Sequence, residues 1–217
     1  MHLNNKNLSK KILSWYDNNK RTLPWRISQN SKKKHYYRIL SEFMLQQTQV
    51  KTVIPYFKNF VKKIPNLKVL SKSNEKKVLK LWEGLGYYTR AKNLHKTSKI
   101  LIQKYDGKIP ESFNLLKELP GIGDYTANVL LALVYNQPRI AIDGNVKRVF
   151  FRLFKTNTEE NFNLFKTERN GDLAEALMEF GAIICKPKDP RCKECKVKKI
   201  CSYYASESKI GFKNRIK

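Results

Sequence analysis

Apolar residues recur along the chain mostly at three- and four-residue spacing. Val50, Val53, Ile54, Phe57, Phe60, Val61 and Ile64 form one such stripe, the mark of an amphipathic helix with one face on a core. Leu70, Val78, Leu79 and Leu81-Trp82 predict a short helix ended by Gly84 and Gly86. Leu94, Ile100 to Ile102 and Tyr105 predict another, closed by Asp106-Gly107. Ala127 to Tyr135 is apolar all round, which predicts a central, buried helix. Val146, Val149-Phe150 and Leu153 continue the helical period. No series of alternating strands stands beside these, so the predicted class is all-α. Ser28 to Lys34 is polar, ends in three lysines and reads as a solvated loop.

Composition then narrows the partners. The 217 residues carry a net charge of +26, and such an excess of cations suits a polyanion such as DNA or RNA. The bland alternative is a lysine-rich genome bias, since lysine far outnumbers arginine. The longest apolar run, Val129 to Tyr135, has seven residues, far short of a membrane span. The polar N-terminus lacks a signal-peptide core. A cytoplasmic, monomeric protein without membrane contact is the expectation.

Candidate chemistry sits in three places. Cys185, Cys192, Cys195 and Cys201 are the chain's four cysteines, spaced C-x6-C-x2-C-x5-C. In a chain expected in a reducing compartment, four clustered thiols favour a metal site over two disulfides, and their spacing leaves zinc and iron–sulfur both open. Lysines and Arg191 surround them. Leu119-Pro120-Gly121-Ile122-Gly123 precedes the apolar helix, and two glycines there allow a tight turn whose amides, at a helix N-terminus, can bind a phosphate. The third place is a pair of acids, Glu42 and Asp143. Asp17 and Glu42 are the sole acids in the first 74 residues, and Glu42 stands beside Phe43, Met44 and Leu45. Asp143-Gly144 before a helical stretch reads as a turn and N-cap. His2, His35 and His95 show no ligand spacing and read as surface or satisfied residues. Tyr36-Tyr37 and Tyr203-Tyr204 read as packing residues.

Taken together, the cysteine tail, the Leu-Pro-Gly-Ile-Gly hairpin and Asp143-Gly144-Asn145-Val146-Lys147-Arg148 resemble the endonuclease III superfamily of helix-hairpin-helix DNA glycosylases. Leu23-Pro24-Trp25-Arg26, Ser41 to Val50 and Gly84-Leu85-Gly86-Tyr87-Tyr88 look like its adenine DNA glycosylase branch. The resemblance runs from about Leu23 to Tyr204. It implies base excision repair of double-stranded DNA holding a mismatch or lesion, with adenine opposite guanine or 8-oxoguanine as the target. A [4Fe–4S] cluster would sit on Cys185, Cys192, Cys195 and Cys201. Glu42 would protonate the departing adenine, Asp143 would be the catalytic aspartate and Tyr125 would assist. Gln47, Leu85 and Tyr87 would wedge into the duplex or touch the opposing base, with Thr48 near it. Gly121 and Gly123 would meet the backbone phosphate. Trp25, Arg26, Leu45, Glu175 and Met178 would line the adenine pocket. The chemistry agrees with the two acids: a flipped adenine needs a proton to leave, and a carboxylate can stabilise the cationic sugar. Cations near Glu42 would lower its pKa, so apolar burial has to raise it. At the position of Tyr125 lyase-active relatives carry a lysine that forms a Schiff base; tyrosine implies a monofunctional enzyme.

The resemblance also implies two lobes: residues 28–142, a six-helix barrel with the hairpin, and residues 1–27 plus 143–217 with the cluster loop. Only sixteen residues follow Cys201, so a C-terminal domain reading 8-oxoguanine is not expected. About four extra residues stand between Trp25 and Glu42. Short relatives that remove thymine from G·T mismatches share the length, the tyrosine and the cysteine tail, and supply the second reading. A zinc-stabilised DNA-binding module without catalysis is the third.

Overall fold

Helices alone make up the regular structure of the described residues, in agreement with the all-α expectation. The computed structural model describes residues 5–27, 31, 33–155, 165 and 167–206. Ser28, Gln29, Asn30 and Lys32, most of the loop expected at 28–34, lie outside them; Lys34 already begins a helix. Among the described residues no helix is long and apolar enough to cross a membrane.

The chain divides into two compact units, 22–135 and 1–21 with 136–217. These limits fall several residues before those expected at 28 and 142. The first, the hairpin unit, holds seven helices among its described residues: α2 (Lys34–Leu45), α3 (Val50–Lys63), α4 (Leu67–Lys72), α5 (Glu75–Trp82), α6 (Thr89–Tyr105), α7 (Phe113–Lys117) and α8 (Asp124–Tyr135). Its core is built from the stripes read in the sequence. Val53, Phe57 and Phe60 of α3 meet Ile39, Leu40, Phe43 and Met44 of α2, and Leu130 and Leu131 of α8 complete it. The single helix expected over 70–82 is instead two. Asn74 interrupts it, its extended backbone and side-chain oxygen capping α5 through the Lys76 amide at 2.9 Å, a better use of asparagine than a helix interior. Helix α6 closes on Asp106 and Gly107, both left-handed (φ 52° and 71°), with the Gly107 amide donating back to Leu101 at 2.9 Å.

Among its described residues the cysteine unit holds α1 (Asn5–Asn19), α9 (Gly144–Phe154), α10 (Asn170–Ile183), a short 3-10 turn (Lys198–Ile200) and the cysteine loop. Ile12 and Tyr16 of α1, Val149 and Phe150 of α9, and Leu177 and Phe180 of α10 form its core. Helices α9 and α10 touch closely at Gly181, where a Cβ would stand 2.6 Å from that of Asn145. The pattern reading did not mark α1 or α10. Helix α10 is apolar nearly all round and buries Glu175 and Glu179, so it shows little helical period.

Candidate active site and cysteine pocket

The hairpin is α7, the turn 118–123 and α8. Gly121 is required there: its φ is +81°, and a Cβ would lie 2.8 Å from Phe43 Cε1 and 2.9 Å from Asn93 Cβ. Two side chains lock the turn, Thr97 Oγ1 donating to the Pro120 carbonyl at 3.0 Å and Gln46 Nε2 to that of Gly121 at 3.1 Å. Ile122 is buried between exposed Gly121 and Gly123. The turn therefore presents bare backbone to solvent at the start of α8, where first-turn amides lack intrahelical partners. Tyr125 follows in that first turn, half-buried. Lys117 and Asp124 form an ion pair between α7 and α8.

Glu42 lies on α2, 8% exposed. One turn on, the chain leaves the helix through Gln46, Gln47 and Thr48. Gln47 is exposed and left-handed (φ 56°). Thr48 turns its hydroxyl onto the Gln46 carbonyl at 3.3 Å. A second protruding loop, Gly84 to Tyr88, holds Tyr87, also left-handed (φ 48°) and 63% exposed. Leu85, 6% exposed, anchors its loop in the core. Trp25 is likewise a core residue, edge-on to Phe57 with ring centroids 5.3 Å apart. Leu45 and Arg26 are half-buried, Arg26 closing a turn onto the Leu23 carbonyl at 3.0 Å.

The residue missed from sequence is Arg90, in the first turn of α6. Its guanidinium, almost entirely buried, donates to the carbonyls of Phe43, Met44 and Gln46 at the end of α2 and of Leu85 and Gly86 in the second loop. A single arginine beside two tyrosines has no periodicity that would single it out.

In the cysteine unit Asp143 is the N-cap of α9, as expected. Its Oδ1 accepts from the Val146 amide at 2.7 Å, and its Oδ2 from Asn145 Nδ2 at 2.8 Å. Asn145 Oδ1 accepts in turn from Arg148, which donates to the carbonyls of Gly181 and Cys185, each at 2.8 Å. A chain of hydrogen bonds thus runs from the aspartate to the cysteine loop. Glu175, buried on α10, takes a hydrogen bond from Tyr16 at 2.6 Å; Met178 is half-buried against the core of the unit.

Cys185, Cys192, Cys195 and Cys201 line one pocket, walled by Val149, Leu153, Phe180 and Ile184 and edged by Arg152 and Lys198. Burial pushes the Cys195 thiol up to about 11, the other three cysteines adding to the effect. Burial also raises Cys201. Arg152 donates to Cys185 Sγ at 3.4 Å, to the Lys186 carbonyl at 2.6 Å and to that of Pro187 at 3.0 Å, and lies over the Tyr203 ring at 4.9 Å. Among the described residues no three His, Cys, Asp or Glu side chains meet around one point as ligands of a single ion. Four thiols around one apolar pocket are a donor set suited to a thiolate-bound metal group. The thiolates such a group requires would find cationic donors in Arg152 and Lys198.

His2 lies outside the described residues, and His35 and His95 stand apart from these sites. His35 is half-buried and its Nδ1 accepts from the Ile109 amide at 3.0 Å. His95 is fully buried, contrary to a surface reading, and its Nε2 has no hydrogen-bond partner among the described residues. Tyr36 and Tyr37 pack as expected, Tyr37 edge-on to Phe57 at 5.1 Å.

Residues 40–169 match the family model described as HhH-GPD superfamily base excision DNA repair protein. The chain is 43% identical over 204 residues to the adenine DNA glycosylase of Buchnera aphidicola subsp. Baizongia pistaciae, an alignment covering 89% of this chain and 57% of that protein. It therefore spans under three fifths of that relative's length. Among solved structures, a thermostable thymine-DNA glycosylase superposes with a TM-score of 0.81 at 27% identity, covering 93% of this chain and 97% of the other. Endonuclease III in a non-covalent DNA complex superposes with a TM-score of 0.73 at 20% identity, over 94% and 96% of the two chains, which is a likeness of fold.

Proposed function

The chain belongs to the HhH-GPD superfamily of base excision DNA repair proteins, and on that premise we propose that it is a monofunctional DNA glycosylase removing adenine mispaired with guanine or 8-oxoguanine from double-stranded DNA. The target nucleotide leaves the stack, as any base excised whole must. Glu42 gives its proton to the departing adenine as the glycosidic C–N bond breaks. Asp143 stabilises the positive charge on the sugar, and water adds to the anomeric carbon and returns a proton to Glu42, leaving free adenine and an abasic site. Tyr125 has a phenol where a lyase needs an amine, so the strand stays intact. The bare amides at Gly121 and Gly123 bind a backbone phosphate. Gln47, Thr48 and Tyr87 meet the duplex near the opposing base, while Arg26, Leu45, Glu175 and Met178 stand nearer the adenine. Leu85 and Trp25 support these segments from the core.

The observation that carries excision is Asp143, whose two carboxylate oxygens are held by hydrogen bonds at 2.7 and 2.8 Å. The choice of adenine rests on the 43% identity to a protein named for it. Cys185, Cys192, Cys195 and Cys201 would hold a [4Fe–4S] cluster, a reading supported by their shared pocket. When bound, the cluster supplies a rigid cross-link that sets the basic loop around it. Removal of thymine from G·T pairs is the second reading, favoured by the thymine-DNA glycosylase likeness at 27% identity.

Excision assays on A·G, A·8-oxoguanine and T·G duplexes test the proposal. The expected outcome is adenine release without strand scission and without a borohydride-trapped adduct. Thymine release alone replaces adenine by the second reading, and a robust adduct overturns the monofunctional assignment. A brown holoprotein with about four irons per chain is expected for the cluster; stoichiometric zinc in its place overturns it.

A further inference from the structure

We propose that Arg90 is a positioning residue: its buried guanidinium clasps the loops 46–48 and 84–88 and holds Gln47 and Tyr87 outward, ready for a mispaired duplex. The duplex rests on the glycosylase reading; the clasp rests on geometry alone.

One nitrogen of the guanidinium donates to the carbonyls of Met44 at 2.8 Å, Phe43 at 3.2 Å and Gln46; the other donates to those of Gly86 at 3.1 Å and Leu85 at 3.2 Å. The first three carbonyls close α2, whose last turn lacks intrahelical donors and carries the negative end of the helix dipole. A cation there is well placed. None of these partners is a carboxylate, so backbone dipoles and two rings, Trp82 and Tyr87, each 5.5 Å from the guanidinium carbon, balance the charge. Trp82 Nε1 binds the Gly86 carbonyl as well, at 3.1 Å. Only a planar fork reaches carbonyls on both sides; lysine, a point donor, cannot.

The strain lies where the clasp acts. Gln47 and Tyr87 are non-glycine residues at positive φ, a conformation that costs free energy and persists only when the surroundings impose it. Both side chains are exposed, while Leu85 and Arg90 beneath them are buried. Loops fixed in this way would need no ordering when a duplex binds.

Two readouts on Arg90→Lys test this. Amide hydrogen exchange of residues 46–48 and 84–88 should quicken at least tenfold, with residues 98–105 and 126–134 unchanged. The ratio of Kd for fully paired over A·G duplex should fall about tenfold, and the fall should vanish in a Gln47→Ala/Tyr87→Ala background. Unchanged exchange overturns the proposal, and so does a loss that adds to the double variant's, as a merely structural role would give. If Arg90→Lys does not fold, Gly86→Ala decides by the same readouts: its Cβ meets nothing within 4 Å, but at φ +77° it strains the clasped loop. A wild-type protein that does not prefer the mismatch defeats the glycosylase reading, and exchange still decides the clasp.

Discussion

The hairpin unit and the cysteine unit solve the same problem, burying helices, in different ways. The hairpin unit relies on a large apolar core, with Ile39, Leu40, Phe43, Phe57, Phe60 and Trp82 inaccessible to solvent. A buried cation in it, Arg90, is spent on backbone carbonyls. The cysteine unit has a smaller apolar core and ties itself with charge. Glu179, 2% exposed, accepts from the Arg21 side chain at 2.6 and 2.9 Å and from its amide at 3.0 Å. Arg169 bridges Asp17 and Asp172, which holds the Asp17 carboxyl below its usual range. Arg148 and Arg152 bind carbonyls of the cysteine loop. A core of side chains gives stability with little demand on orientation; a polar network fixes orientation, which is what an oriented carboxylate and four thiols need.

The largest break is chemical. Asp143→Asn keeps the amide and Asn145 contacts within reach but removes the charge. Excision should fall at least a thousandfold, about 4 kcal/mol in the barrier, with duplex Kd changed less than threefold. A residual rate within tenfold of wild type, measured in single turnover, would show that the oriented network of the cysteine unit serves packing alone.

Truncation of the apolar core comes next. Leu40→Ala removes a side chain with no solvent exposure and should cost about 3 kcal/mol of unfolding free energy through lost burial and a cavity. Glu179→Gln, the corresponding break in the cysteine unit, should cost about 2 kcal/mol, since Arg21 keeps a neutral acceptor and is itself partly solvated. Arg169→Ala, at an exposed pair, should cost less than about 1 kcal/mol. Denaturant titration with a probe in each unit checks the order, and equal losses for Leu40→Ala and Arg169→Ala would erase the distinction.

This contrast also explains what the sequence revealed. Helices α3 and α6 were legible because an apolar face against one core imposes a period on the residues, and α8 because its apolar run is unbroken. Helix α10 was not, because a helix buried all round has no period and its two glutamates look like surface residues until Tyr16 and Arg21 are seen beside them. Cys185 to Cys201, Gly121 and Asp143 were legible as local patterns, each a short spacing with its own chemistry. Arg90 was not, since its five carbonyl partners come from segments more than forty residues apart in places, and backbone acceptors leave no trace in side-chain identity. Leu85 and Trp25 show a related limit: a motif gives the segment, while burial decides which of its side chains face outward.

The smallest effect distinguishes the units by pH. Burial lowers the pKa of His35 and His95 below 6.5, Lys34 and Lys108 adding to it for His35, and Lys99 for His95; the Ser73 backbone and Glu75 oppose it at His95 without reversing it. Both rings are therefore held neutral in the fold and take protons on unfolding. The unfolded chain binds more protons below pH 6.5, so stability is fully present above that value and declines as pH falls toward the folded pKa values. For His95 the reason is local: a proton on its buried Nε2 would be a charged donor without an acceptor among the described residues. The cysteine unit has no histidine among its described residues. Between pH 7.5 and 5.5 the unfolding midpoint of the hairpin unit should drop, by less than Leu40→Ala causes, while that of the cysteine unit holds. His95→Leu should flatten the hairpin unit's response. An equal decline in both units, followed by hydrogen exchange at the two pH values, would place the acid sensitivity in the carboxylate network of the cysteine unit and reverse the assignment.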